Sequence, residues 1–263
     1  MKIGIIGVGV VGKAIKNGFE STHEIFLHDP KLGTNIENVT DNTNFSYIAV
    51  PTPSNPETGE CDISIVESVL DKIPDGHKVI IKSTVIPGST KYLQNKYPKL
   101  VIGCSPEFLR SSTSENDFKN QDILVVGSEG SELAEEVFQQ HMEAGVMRKE
   151  NFFHVTPTQA ELVKYAKNSF YAMKVIFANQ FHDFAKHVGE EWADVKEIIT
   201  TEQEQMIGPS HLNSPKDGER GYGGECLPKD TLALNFQLEK LGIKYNLIGA
   251  IIEDNVTLKN EKN

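Results

Sequence analysis

The run Arg220-Gly221-Tyr222-Gly223-Gly224-Glu225-Cys226-Leu227-Pro228-Lys229-Asp230 sets a cysteine in a glycine-rich turn, with a lysine and an aspartate just beyond it. Gly221, Gly223 and Gly224 admit positive φ and let another group approach the backbone closely. Lys229, together with the start of a helix expected over 230–241, would favour the thiolate, which is the form of cysteine that attacks a carbonyl carbon. The chemistry this suits is covalent catalysis. The plainer alternative is a structural cysteine in a tight turn, since free cysteines are usually inert.

A second constellation lies at the other end of the chain. Met1 to Gly12 reads as an apolar strand (Ile3, Ile5, Ile6) followed by Gly7, Gly9 and Gly12 at G-x-G-x-x-G spacing. Gly7 suits a tight turn, Gly9 lets the backbone meet a pyrophosphate, and Gly12 lets the next helix pack on the strand. The free N–H groups at the start of the next helix, in the amphipathic stretch Lys13 to Phe19, would then face the phosphates. A second strand over 24–28 ends at Asp29, twenty residues beyond Gly9. A carboxylate there accepts both ribose hydroxyls of NAD and repels the 2′-phosphate of NADP.

Further candidates lie between these two. Lys164 and Asn168 are four residues apart on a long helix, hence on one face, with Glu161 one turn earlier. A solvated Glu–Lys pair is the bland alternative, but Asn168 is a poor helix former among apolar neighbours. A lysine and an amide converging on a pocket can hold a developing oxyanion. Val50-Pro51-Thr52-Pro53, Lys82-Ser83-Thr84 and Ser105-Pro106-Glu107-Phe108-Leu109 each follow a strand. Each alone reads as a turn. Together they set Thr52, Thr84 and Glu107 on the carboxyl edge of a sheet, where α/β proteins bind ligands.

The elements that must position these groups follow from periodicity. Strands are expected at 2–6, 24–28, 45–50, 77–82, 99–104 and 122–127, with helices between several of them, notably 63–73 and 132–142. Such alternation predicts an α/β fold, a Rossmann-like, doubly wound, mostly parallel sheet over 1–155. The link between Asp29 and Phe45 is rich in Asn and Thr and is expected to hold no regular helix. Thr158 is expected to cap a long helix over 158–188, apolar on more than one face, that opens an all-helical domain over 156–263. Shorter helices are expected at 192–200, 230–241 and 245–259, with a functional loop over 206–224.

Composition narrows the partners. The chain has 263 residues and a formal charge of −11, from 26 basic and 37 acidic residues, which argues against nucleic acid or an anionic membrane. No apolar run approaches a membrane span, and no signal peptide precedes the first strand. Cys61, Cys104 and Cys226 form neither a disulfide framework nor a zinc pattern, so no metal is expected and a reducing cytoplasm is.

Taken in order, six motifs resemble the UDP-glucose/GDP-mannose dehydrogenase family, and within it the UDP-glucose 6-dehydrogenases most. They are Gly7 to Gly12, Val50 to Pro53, Lys82-Ser83-Thr84-Val85-x-Pro87-Gly88-x-Thr90, Pro106 to Arg110, Glu161-Leu162-x-Lys164-Tyr165-x-x-Asn168, and Gly221 to Asp230. The resemblance implies two NAD-dependent hydride transfers that turn a sugar C6 alcohol into an acid. It implies that Cys226 captures the aldehyde as a thiohemiacetal, which becomes a thioester that water hydrolyses. Lys164 and Asn168 would stabilise the oxyanion, Asp230 with Thr84 would position water or relay protons, and Glu107 would assist hydrolysis. Val10, Val11, Val50, Pro51, Thr52 and Thr84 would join the glycines and Asp29 around NAD. Phe108, Leu109, Arg110, Lys164, Asn168, Arg220, Gly221, Tyr222 and Gly223 would meet the nucleotide sugar, UDP-glucose foremost.

The chain departs from the family pattern at several points. Family members usually continue past the position of Asn263 into a third α/β domain that holds much of the nucleotide. Ser111 stands where a glutamate is common, Met206 where an arginine reaches a neighbouring subunit's substrate, and the 29–45 link is short. Contacts to the base or sugar are then expected from such a third domain or from the 206–224 loop, where His211, Asn213, Lys216 and Arg220 offer donors. The wide apolar arc of the long helix predicts a homodimer built on it. Two other classes remain open: a two-electron β-hydroxyacid-type dehydrogenase, which shares the glycine start and the Lys-x-x-x-Asn pair, and a truncated dinucleotide-binding protein without activity.

Overall fold

The computed structural model describes residues 1–147, 151–201, 208, 210–213, 219–242 and 246–260. The chain groups into two compact units, Met1–Pro53 with Cys61–Lys164, and Ser54–Glu60 with Tyr165–Asn263. The division falls inside the long helix, whereas 155/156 is the boundary expected from the sequence, and the short segment Ser54–Glu60 groups with the second unit.

The first unit runs β1 (Lys2–Ile6), α1 (Val10–Phe19), β2 (Glu24–His28), α2 (Glu37–Thr40), β3 (Phe45–Ile48), α3 (Ser64–Leu70), β4 (Lys78–Ile81), α4 (Ser89–Lys96), β5 (Val101–Cys104), α5 (Ser114–Lys119), β6 (Leu124–Gly127), α6 (Ser131–Ala144) and β7 (Phe152–Val155). The strands form one sheet in the order β2-β1-β3-β4-β5-β6-β7. The first five are parallel, β6 runs antiparallel to β5, and β7 is parallel to β6. Successive strand residues feed opposite faces. Ile6, Ile48, Ile81 and Ile102 join one core, and Ile5, Tyr47 and Ile80 join the other. Burial on both faces is why these strands read as continuous apolar runs. Strand order reverses between β1 and β3, and the crevice beyond their carboxyl ends is where such sheets take ligands.

Two local expectations are corrected here. The 29–45 link holds a 3-10 turn at Pro30–Leu32 and the single turn α2, because Ile36 and Val39 anchor it in the core. β7 was not expected as a strand; it is an edge strand whose Phe153 and His154 are exposed, so it lacks the buried apolar run that marks the others.

The long helix α7 (Pro157–Val188) leads into the second unit, followed by α8 (Trp192–Ile199), α9 (Cys226–Lys240) and α10 (Leu247–Asn260). Its cap is Thr156, not Thr158. The Thr156 hydroxyl accepts the Gln159 N–H at 3.2 Å while the Gln159 side chain accepts the Thr156 N–H at 3.1 Å, a reciprocal capping box with proline at the first helical position. α9 opens at Cys226, four residues before the expected start, because Pro228 sits in the first turn where its missing N–H is not needed. The last helix begins at Leu247, and Tyr245, its expected start, lies outside the described residues.

One core of the second unit joins Ala172 and Ile176 on α7 to Tyr222, Ile251 and Leu258. A smaller one surrounds Trp192, whose indole donates to the Leu212 carbonyl at 3.1 Å. Phe170, Phe181, Phe184 and Val188 on α7 remain exposed. Among the described residues no helix is long and apolar enough to cross a membrane.

Candidate active site

In the first unit, the glycine turn between β1 and α1 is shaped by its neighbours. Gly7 has φ +90°, and a Cβ there would lie 2.5 Å from the Ala49 carbonyl beyond β3. A Cβ on Gly12 would lie 1.9 Å from the Gly7 carbonyl oxygen, so α1 meets the turn only through glycine. On Gly9 it would meet no protein atom within 4 Å. Val10, the first residue of α1, is exposed and Val11 is half-buried, so the first helical amides are free of intrahelical partners at an open surface. Asp29 closes β2 and accepts the Val8 N–H at 2.7 Å and the Lys31 N–H at 2.8 Å. The Val8 N–H bond is the main cause that holds its carboxyl below the usual range. These features fit a dinucleotide, with a phosphate over the helix start and a ribose at Asp29.

Along the same sheet edge, the Thr52 hydroxyl donates to the Thr84 carbonyl at 2.6 Å and the Ser83 hydroxyl to the Val50 carbonyl at 2.7 Å. The loops after β3 and β4 are thereby tied together. Val50 packs on the core and Pro51 is exposed. After β5, Glu107 accepts the Leu109 N–H at 2.6 Å and the Lys164 ammonium at 2.7 Å, and the same ammonium reaches the Glu107 carbonyl at 2.8 Å. Both side chains are almost fully buried. Losing one partner of such a pair costs roughly 3–5 kcal/mol, because the other charge is left unpaired.

Lys82 is buried in the same unit, in a small pocket also lined by Thr84, Cys104, Pro106, Glu161 and Lys164. Its ammonium donates to the Ser105 hydroxyl at 3.2 Å. Burial pushes this amine down to about 8, Glu107 opposes the shift, and the neighbouring Lys164 charge adds to it. Below about pH 8 the amine is protonated in the folded and unfolded chain alike, so its penalty is constant. Between about 8 and the ordinary 10.5 only the unfolded chain keeps the proton, so this group's contribution to stability rises with pH. Compared with Lys82→Met, the wild type should gain stability across that window, read as denaturation midpoints. A flat or falling difference would contradict the buried amine.

Glu161 is not the solvated partner of Lys164. It is buried and accepts the Gly88 N–H at 2.5 Å and the Thr90 N–H at 2.7 Å, which satisfies the start of α4. Burial raises its pKa, against these bonds. No local pattern announces this role, since the partners lie more than seventy residues away. Phe108 and Leu109 are half-buried and pack on the two cores of the sheet. Arg110 is exposed and forks onto Asp117 at 2.6 and 3.0 Å, holding that carboxyl down to about 2.

In the second unit, Asp230 is fully buried. One of its carboxylate oxygens accepts the Lys229 ammonium at 2.6 Å and the other accepts the Asn168 amide. Lys229, expected beside the thiol, is therefore committed to Asp230. Cys226 is exposed and is the first residue of the fifteen-residue α9, where free amides favour negative charge. Cys104 offers the contrast: it is buried, donates to the Pro157 carbonyl, and has its thiol pushed up to about 12 by desolvation. Gly221 and Gly224 both take positive φ, Gly223 is exposed, and Tyr222 is buried. Arg220 pairs with Asp183 of α7. His211 has φ +65° and stacks on Tyr171. Asn213 is exposed and accepts the Lys196 ammonium at 3.0 Å, while Met206 and Lys216 lie outside the described residues.

Known proteins match both units. Residues 27–143 match the NAD binding domain of the UDP-glucose/GDP-mannose dehydrogenase family, and residues 158–257 match its central domain. The chain is 34% identical over 234 residues to a UDP-glucose 6-dehydrogenase of Rickettsia felis, an alignment that spans 84% of this chain and 50% of the relative. It is 29% identical over 233 residues to a GDP-mannose 6-dehydrogenase of Pseudomonas aeruginosa, across 80% and 50% respectively. The chain thus spans about half the length of the curated relatives it matches. Among solved structures, a UDP-glucose dehydrogenase of Pyrobaculum islandicum superimposes with a TM-score of 0.84 at 26% identity, over 97% of this chain and 68% of that one.

Proposed function

We propose that this chain, which belongs to the UDP-glucose/GDP-mannose dehydrogenase family, carries out the NAD-dependent four-electron oxidation of a nucleotide sugar from C6 alcohol to acid, with UDP-glucose the first substrate to test. The observation that carries the reading is Cys226, exposed at the start of α9, on the same helix as a buried Asp230 that is bonded to Asn168. When bound, NAD supplies the hydride acceptor, once for each of the two oxidations. The alcohol loses a hydride and a proton to give the aldehyde. The Cys226 sulfur then adds to the aldehyde carbon, forming a C–S bond and a thiohemiacetal. Loss of a second hydride and the hydroxyl proton gives a thioester, and water cleaves the C–S bond to release the acid and the thiol.

The other candidate residues are assigned parts in this scheme. Lys164 and Asn168 donate to the oxygen that becomes anionic as sulfur adds. Asp230 orients Asn168 and, with Thr84, positions water or relays a proton, while Glu107 assists hydrolysis. Gly7, Gly9, Gly12, Asp29 and Thr52 hold the dinucleotide. Phe108, Leu109, Arg110 and the Arg220 to Gly223 loop are assigned to the sugar nucleotide. The cytoplasm is the compartment this reading implies, in keeping with the low cysteine content. A panel of UDP- and GDP-sugars, with NADH counted per sugar, tests the reading. Two NADH per sugar supports it; one NADH per hydroxy acid would favour a β-hydroxyacid-type enzyme.

NAD and not NADP should be the cofactor. Charge-assisted hydrogen bonds to a ribose are worth about 1.5–3 kcal/mol, so Asp29→Ala should weaken NAD roughly tenfold to a hundredfold. Asp29 also ties the glycine turn to β2, so the NAD-to-NADP ratio is the informative readout. Equal use of both by the wild type would refute this assignment.

A homodimer formed on α7 completes the proposal. Phe170, Phe181, Phe184 and Val188 stand exposed along it, and a two-fold contact between the two copies of α7 would bury them. Sedimentation should give a dimer at micromolar concentration, and Phe184→Asp should shift it towards monomer. A monomeric wild type would exclude that interface.

A further inference from the structure

We propose that Asn255, on α10, is a positioning residue for the sugar substrate, its carboxamide clamping the Gly221–Tyr222 backbone and so fixing the glycine loop that leads into Cys226. This rests on the reading above, in which that loop serves a sugar oxidised at Cys226. Asn255 Oδ1 accepts the Tyr222 N–H at 2.7 Å, and its Nδ2 donates to the Tyr222 carbonyl at 3.2 Å. One side chain therefore satisfies both backbone groups of one residue, as a neighbouring strand would. Asn255 is 8% exposed and Tyr222 3%, so little water competes for these bonds.

The grip is shared by two further helices. Asn179 of α7, fully buried, donates to the Val175 carbonyl at 2.8 Å and accepts the Gly221 N–H at 3.3 Å. The Tyr222 hydroxyl meets the Thr231 hydroxyl of α9 at 3.3 Å. Gly221 has φ +73°, and a Cβ there would sit 2.5 Å from Asn255 Oδ1, so the clamp closes only on glycine. Asparagine is a poor residue for a helix interior, and the paired bonds give this one a reason to be there. Asn255 acts through the loop.

The test is hydrogen exchange and steady-state kinetics on the 263-residue chain, with UDP-glucose and NAD as probes. Two buried hydrogen bonds of about 1 kcal/mol each imply that Asn255→Ala exchanges the Gly221 and Tyr222 amides at least about tenfold faster, with the α10 amides unchanged. The sugar KM should rise by about the same factor while the KM for NAD holds. Asn255→Asp keeps the shape and the acceptor but turns the donor into a second acceptor against the Tyr222 carbonyl, so it should lose as much as alanine does. An aspartate variant with wild-type exchange and sugar KM would overturn the proposal. So would a loss of protection spread evenly over α10 and the core, which is what a merely structural residue produces. A wild type that oxidises no sugar while the exchange pattern holds would sink the proposed function and the substrate role with it, and leave the clamp standing.

Discussion

Replacing Cys226 with alanine should reduce four-electron turnover by at least about 10⁴-fold, the scale on which loss of a covalent nucleophile is felt, while NAD binding survives. An aldehyde has no hydride to give until a nucleophile has added to its carbon. The thiolate is suited to that addition, and it leaves readily when water attacks the resulting thioester. The structure separates this thiol from that of Cys104. Cys226 is exposed at the start of a long helix, whereas Cys104 is buried with its thiol pushed up to about 12. Cys226→Ser keeps an oxygen nucleophile, but its ester would be cleaved more slowly than a thioester, so this variant should stall with a covalent sugar attached. Mass spectrometry of quenched enzyme with substrate and NAD reads the outcome directly. A transient adduct on the Cys226 peptide is expected in the wild type, a persistent one in Cys226→Ser and none in Cys226→Ala. Full turnover by the alanine variant would refute covalent catalysis.

Asn168→Ala should cost on the order of 10²–10³ in kcat, as removal of an oxyanion donor does. A carboxamide has two N–H donors, and in this structure one is held by Asp230. That bond orients the group and leaves the second donor for the oxygen that turns anionic. Because the interaction strengthens as charge develops, the loss should fall on kcat more than on KM. Asn168→Asp separates this role from simple packing. It preserves shape but places a second carboxyl against Asp230, and two carboxylates so close cannot both stay ionised without raising one pKa. The ionised variant offers no donor, so kcat should be at least as low as in Asn168→Ala. An unchanged kcat in either variant would remove Asn168 from the oxyanion site.

Much of the frame was legible without coordinates. The mostly apolar runs at 2–6, 24–28 and 45–50 became β1, β2 and β3, because their residues pack into cores on both faces of the sheet. Gly7, Gly9 and Gly12 declared the turn before α1, since only glycine meets the contacts seen at Gly7 and Gly12. The Cys226 and Lys164/Asn168 motifs were equally visible, because their residue types and spacing stand in the sequence itself. What the sequence hid were partnerships between distant residues. A solvated Glu161–Lys164 pair was the bland alternative, yet Glu161 serves the start of α4, and Lys164 turns to Glu107. Lys229 read as a cation for the thiol, yet Asp230 takes it. The ion pairs of Arg110 with Asp117 and of Arg220 with Asp183 were likewise not legible. Asn179 and Asn255 carried no signal at all. Periodicity and glycine spacing are local properties written into neighbouring residues. Which carboxylate a buried amine meets depends on how separate elements pack, and only the tertiary structure decides that.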